Sequence, residues 1–212
     1  MPFNLKEYIE NIAGQKSPGP STTFSVFHIF YALTLLSEKP IGRGKLAEKL
    51  DVGEGAVRTI IKRLRDANLI ATSREGCNLT EKGISVWKEF ERVFPGRVEI
   101  EKTQLTSSEY NYAFLINDSG QNVKSGIEQR DAAIMGGAKR AIAIVARHDQ
   151  LMIESVSNDI KKDFPKAAIK ILKDIRPKNN DVIVIAGSDD PLKAMRGAFA
   201  ASWVLIGKNK KK

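Results

Sequence analysis

Four cations recur along residues 51–70 (DVGEGAVRTIIKRLRDANLI): Arg58, Lys62, Arg63 and Arg65, opposed only by Glu54 and Asp66 once the helical part begins at Glu54. Such groups can hold phosphates, and an arginine can also give two hydrogen bonds to the O6 and N7 of a guanine. The rest of the chain offers less chemistry. Its two histidines lie apart: His28 sits in an apolar segment, where a packed core histidine is the simpler reading, and His148 sits in a turn. Cys77, the single cysteine, has no evident base, and one cysteine excludes an intrachain disulfide or a multi-cysteine metal site. No phosphate-binding GxxxxGK[ST] loop, no GxGxxG after a strand and no GxSxG is present. No catalytic residues, cofactor or metal are therefore expected, and the chain is expected not to be an enzyme.

The elements that must position those cations can be read outward from them. Val57, Ile60, Ile61 and Leu64 recur at helical spacing and give the basic segment an apolar stripe, so residues 54–67 are predicted to form an amphipathic helix. On its other face lie Gly55, Arg58, Thr59, Lys62, Arg63 and Arg65; an ordinary solvated face is the competing reading. Upstream, an amphipathic helix near residues 5–12 is followed by a glycine- and proline-rich linker at 14–22. A helix then runs from about 21–23 to Ser37, the loop EKPIGRGK follows, and a helix in GKLAEKL ends at the sharp turn DVGEG. Downstream, LIATSREGCNLT reads as two short strands about Glu75-Gly76, and TEKGISVWKEFERVF as a helix with Thr80 as its N-cap.

Helix, helix, tight turn, helix, ribbon, helix is the order of a winged helix-turn-helix. Residues 24–94 resemble the winged-helix domains of archaeal and bacterial transcription regulators, through GRGKLAEKLDVGEGAVRTIIKRLRDANLI and the return from the wing, NLTEKG. The resemblance implies double-stranded DNA as partner. It puts Glu54, Gly55, Arg58, Thr59 and Lys62 within reach of base edges, with Arg58 suited to guanine and Thr59 to a thymine methyl or a phosphate. Lys62, Arg63 and Arg65 fall further along, where phosphate contact is expected, and Arg43 and Lys45 start the preceding helix, a usual place for backbone contacts. Arg74 at the wing turn could enter the minor groove or meet a phosphate. Winged helices also serve as protein-binding modules, so the match is more specific for fold than for function.

The segment 24–36 is apolar almost all round, which predicts cover on more than one side by the second domain or by a partner subunit. Because helix-turn-helix regulators commonly bind two half-sites, a homodimer is expected.

Beyond FPGR at 94–97 the pattern changes. RVEIEKTQL and NYAFLIN read as strands, KSGIEQRDAAIMGG as a helix, AKRAIAIVAR and QLMIESV as a hairpin about His148-Asp149, NDIKKDFP as a short helix, AAIKILKDI as a weak strand, DVIVIAGS as a strong one and DDPLKAMRGAFAASWVLI as a long helix. The domains expected are an N-terminal helix and linker (1–22), the winged helix (23–95), an effector-sensing or dimerisation domain (96–207) and a basic tail (208–212). The fold class is a mainly α winged helix with a two-stranded wing, joined to an α+β domain whose mixed sheet carries helices on one face. This layout resembles an uncharacterised archaeal family that joins a winged helix to a small α+β domain.

Two places in the second half could hold a small polar effector. Gln129, Arg130 and Asp131 share the first turns of a helix, although ion pairing of Arg130 and Asp131 explains them equally well. Ser188 precedes Asp189, Asp190 and Pro191 at the next helix start, where ordinary capping is the plainer account.

Composition agrees with a soluble globular chain: 212 residues, 42% hydrophobic and 28% charged. The net charge of +9 is diffuse, since residues 1–96 carry 14 Lys+Arg against 11 Asp+Glu and residues 97–212 carry 20 against 14. The most apolar window, at 24–36, is shorter than the roughly 20 residues a membrane span needs. A cytoplasmic DNA-binding transcription regulator with a ligand-sensing or dimerisation domain is the expectation. The alternatives are a small-molecule enzyme, kinase- or transferase-like, fused to an autoregulatory winged helix, and a protein-binding winged helix.

Overall fold

The computed structural model describes residues 3–14 and 23–207. The predicted linker falls almost wholly outside the described residues, as does the basic tail. The chain divides into two compact units, residues 1–90 and 91–212, with the boundary inside a helix.

Unit 1 begins with α1, Leu5–Ala13, started by Asn4, whose side-chain oxygen accepts from the Glu7 amide at 3.3 Å. Then come α2 (Val26–Glu38), α3 (Arg43–Leu50), α4 (Glu54–Asp66), β1 (Ile70–Ser73), β2 (Gly76–Leu79) and α5 (Glu81–Val93). The strands pair antiparallel from Ile70 opposite Leu79 to Ser73 opposite Gly76, leaving Arg74 and Glu75 as the tip of the wing. Ile41 adds a one-residue third strand by exchanging both backbone hydrogen bonds with Cys77, at 2.9 and 3.0 Å. That contact fixes Gly76: its φ is 125°, and a Cβ there would lie 2.5 Å from the Ile41 carbonyl carbon. Thr80 caps α5 as predicted, its hydroxyl accepting from the Gly83 amide at 3.0 Å.

The sides of α2 are covered from within unit 1. It packs on α1, α3, α4 and β2, and Phe30 meets Phe90 of α5 edge-on at 5.2 Å. Val26, Tyr31 and Thr34 of α2 stay half-buried. His28 is buried, and its Nδ1 accepts from the Ser25 amide at 2.9 Å, so it serves the start of α2.

Unit 2 contains β3 (Gly96–Glu99), β4 (Tyr110–Ile116), a turn of 3-10 helix (Gly120–Asn122), α6 (Ile127–Met135), β5 (Arg140–Arg147), β6 (Gln150–Met152), α7 (Ile160–Asp163), α8 (Pro165–Asp174), β7 (Val182–Ser188) and α9 (Pro191–Trp203). Among the described residues its five strands lie in the order β3-β4-β7-β5-β6. The α+β class stands, with two corrections. Every neighbouring pair is antiparallel, so the sheet is not mixed. Nor are the helices confined to one face. On one side Ala113, Leu115, Ile183, Ile185 and Ile144 form a core with Ala168 and Ile171 of α8. On the other, Phe114 packs against Phe199 of α9, with α6 beside α9. The hidden layer is α8, whose segment AAIKILKDI was expected as a strand. Ala167, Ala168 and Ile171 are buried while Lys166, Lys170 and Lys173 are exposed, a helical period, and Pro165 in the first turn suits a helix start.

The predicted hairpin about His148-Asp149 is present, with both residues at positive φ, 48° and 61°. Ala194, Gly197, Ala198 and Ala201 give α9 a buried small-residue face that packs closely. A Cβ on Gly197 would lie 2.5 Å from that of Ala138 and 3.0 Å from the Ala133 carbonyl oxygen, so glycine lets the end of α6 approach. No helix among the described residues is long and apolar enough to cross a membrane.

Candidate nucleic-acid interface

The turn between α3 and α4 sets the geometry of the basic face. Leu46, Ala47 and Leu50 bury one side of α3. Asp51 then takes a left-handed conformation (φ 52°), and the Val52 amide reaches back to the Ala47 carbonyl at 3.1 Å. Short polar residues such as aspartate tolerate that conformation. Gly53 starts α4, which docks through Val57, Ile60 and Leu64, all fully buried. With that stripe inward, Gly55, Arg58, Lys62 and Arg65 are exposed. Arg43 and Lys45 are exposed in the first turn of α3, and Arg74 is exposed at the wing tip.

Two of the candidates are already engaged. Thr59 is half-buried, and its hydroxyl donates to the Gly55 carbonyl at 3.0 Å, leaving its methyl as the free contact. Arg58 pairs with Glu54 one turn earlier at 2.8 Å, with the side chains 61% and 69% exposed. Water screens a pair that open, so it holds the guanidinium only weakly.

Arg63 is a correction. It is 92% buried, and its Nη1 donates to the carbonyl oxygens of Ile12, Ala13 and Gly14 at 2.9, 2.9 and 2.6 Å. Its guanidinium also lies 4.9 Å from the Phe24 ring centre. Those carbonyls end α1, where a cation is favoured both by hydrogen bonding and by the helix dipole. Arg63 therefore ties α1 to α4 and is not available to a phosphate. Successive helical residues turn by about 100°, which puts Arg63 about 60° from Ile60 and at least 100° from Arg58 and Lys62; that angle was the signal in the sequence.

Glycines gather at the same surface. Gly42, Gly44, Gly53 and Gly55 start α3 and α4, and a Cβ on any of them would meet nothing within 4 Å. At those four positions the starts of both helices carry no side chain.

In unit 2, Gln129 and Asp131 line one cavity, with Gln129 buried and Asp131 exposed. Arg130 does not line it; it pairs with Asp131 at 3.0 Å in the open. Ser188 is corrected as a ligand contact. It is buried at the end of β7, donates to Asp189 at 3.2 Å and lies outside that cavity. Asp190 caps α9 by accepting from the Lys193 amide at 2.8 Å, and Lys139 beside Asp189 lowers the Asp189 pKa through a 2.8 Å hydrogen bond. The start of α9 is thus occupied by its own carboxylates. The lining of the Gln129 cavity by Ile127, Met135 and Val204 had no sequence signal, because tertiary packing alone brings them together. Among the described residues no group of three His, Cys, Asp or Glu side chains is placed to hold a metal ion.

Residues 28–85 match the model of the PH0730-like N-terminal domain, and residues 107–205 match a domain of unknown function, DUF4443. No curated protein matches. Among solved structures, hypothetical protein PH0730 from Pyrococcus horikoshii is similar at a TM-score of 0.70 and 24% identity, over 86% of this chain and 92% of that one. ZitR of Lactococcus lactis is 30% identical over 38% of this chain and 59% of its own, and the Mycobacterium tuberculosis MarR family protein Rv2887, solved in complex with DNA, is 24% identical over 42% and 62%. Both of these have a TM-score of 0.30, too low to bear on the architecture. The chain thus joins a PH0730-like winged helix to an α+β domain matching DUF4443, and shares the fold of the archaeal protein from Pyrococcus horikoshii.

Proposed function

We propose that this protein is a DNA-binding transcription regulator that acts as a homodimer, with unit 2 sensing a small effector or mediating dimerisation and with no catalytic step. One observation carries the DNA half. On a helix-turn-helix frame with a wing, Arg43, Lys45, Arg58, Lys62 and Arg74 are all exposed on α3, on α4 opposite its buried stripe, and at the wing tip. In that role Arg58 reads a base edge, Lys62 and the cations of α3 hold phosphates, and Arg74 reaches the backbone or minor groove beside the wing.

The test is fluorescence anisotropy of labelled duplexes across a salt series. Four phosphate contacts per protomer give a slope of log K against log salt of roughly −3.6, so affinity falls about 150-fold per protomer between 50 and 200 mM salt. Lys62→Ala lowers that slope by about 1 on every sequence, whereas Arg58→Ala costs about 1–3 kcal/mol on a selected site and relaxes one base position. Binding that is absent, or flat with salt, overturns the proposal. Analytical ultracentrifugation reads the dimer directly.

A further inference from the structure

The positive charge of unit 2 is concentrated in one segment. Residues 160–178 carry seven Lys+Arg against Asp163 and Asp174, a net +5, whereas residues 97–159 and 179–207 together carry nine Lys+Arg against twelve Asp+Glu, a net −3. All seven cations are exposed. So local an excess on an otherwise acidic domain suits a polyanionic partner.

α8 turns that excess into a stripe. Its buried side is Ala167, Ala168 and Ile171. Lys166, Lys170 and Lys173 recur at i, i+4 and i+7, within about 60° of one another around the helix axis and over about 10 Å of its length. A DNA strand presents one phosphate per roughly 3.4 Å of axis, so about three phosphates match that length. Lys166 has no ion pair among the described residues, and Lys170 is held only by Glu101 at 2.8 Å, with the side chains 45% and 65% exposed. A pair that open exchanges readily for another anion. The positive ground continues past the helix, where Lys161, Arg176 and Lys178, with Asp149 as the one acidic residue, line a cavity of about 260 Å³.

A lipid surface fits this stripe less well than a duplex. Insertion needs an apolar helix face, and that of α8 is committed to the core, with Ile169 its one exposed large apolar side chain.

We propose that α8 is a second DNA-contacting surface, on which Lys166, Lys170 and Lys173 hold duplex phosphates without reading sequence. This deepens the DNA half of the proposed function but uses a different face, so the two are read at different residues.

The full chain is tested on a duplex of about 40 bp, roughly four helical turns. Replacing Lys166, Lys170 and Lys173 together by glutamine should lower the salt slope by about 2.7 on every sequence, so the affinity lost between 50 and 200 mM salt shrinks about 40-fold. Replacing Lys124, Arg130 and Lys193 together by glutamine removes the same charge elsewhere on unit 2, and should leave the slope in place. Lysine acetylation read by mass spectrometry should show Lys166 and Lys173 protected by the duplex and not by phosphatidylserine vesicles. Equal effects of the two triple variants, an unchanged slope without the stripe, or protection by vesicles alone would each overturn the proposal. Protection of Lys62 without Lys166 and Lys173 would overturn it and leave the winged-helix reading standing; protection of Lys166 and Lys173 without Lys62 would do the reverse.

Discussion

Replacing Arg63 by methionine removes a guanidinium and keeps most of the apolar stem. In the structure that guanidinium faces three carbonyl oxygens at the end of α1 through a single nitrogen. A nitrogen with two hydrogens makes two full bonds at a time and shares the third. Charge-assisted hydrogen bonds contribute about 1.5–3 kcal/mol each net. The position over Phe24 adds about 0.5–1 kcal/mol, and the helix terminus a few tenths more. Against that, methionine needs no desolvation, and the carbonyl of exposed Gly14 regains water while those of buried Ile12 and Ala13 do not. The balance leaves about 2–4 kcal/mol of destabilisation, located in unit 1. Urea unfolding followed by the fluorescence of Trp87, with Trp203 replaced by phenylalanine so that unit 1 alone is seen, measures it. The salt slope of duplex binding by the folded variant should be unchanged. A variant with wild-type stability and a slope reduced by about 1 would refute the reasoning, because that is the behaviour of a phosphate contact.

Three further outcomes are expected. Glu54→Gln releases Arg58 from its pair and removes a carboxylate from the α4 start, so duplex affinity rises severalfold at low salt and less at high salt, as an anisotropy titration would show. Gly83→Ala puts a Cβ 2.0 Å from the Leu69 carbonyl oxygen and should cost about 2 kcal/mol in urea unfolding; Gly55→Ala meets nothing and should stabilise unit 1 by about 0.5–1 kcal/mol, so equal effects would contradict the packing described. Burial pushes the Cys77 thiol up, keeping it protonated at neutral pH, so Ellman's reagent should react with it slowly until urea unfolds the wing, and immediate reaction in buffer would contradict its placement in β2.

Unit 1 was legible because its signals are local. The stripe at Val57, Ile60 and Leu64, the DVGEG turn and Thr80 each act within a few residues, and the structure keeps all of them. Arg63 was misplaced because it was grouped by charge with its neighbours in sequence, although its angle on the helix puts it beside Ile60. Unit 2 was harder. AAIKILKDI has isoleucines that suit a strand, and its helical period becomes decisive only when the opposing core of Ile144, Ile183 and Ile185 is known. Strand direction depended on pairings far apart in the chain, such as Ala113 with Ile185, which no local pattern encodes. Gln129 was named from its place on α6, but the burial of its Nε2 without a partner among the described residues is a property of packing alone.

The strand order of unit 2 also sets a timetable. Among the described residues β7 is the last strand in sequence and the central one in space, buried along its whole length between β4 and β5. Until residues 182–188 leave the ribosome, the only sheet pairings open to the chain are β3 with β4 and β5 with β6. All of unit 1's elements are synthesised well before that, and chains mature from the N-terminus as they emerge. The segments of the winged helix are therefore complete while the sheet still lacks its central strand. A chain interrupted before Val182 would carry the basic face without the domain proposed to govern it, and with two unpaired strand edges open to aggregation.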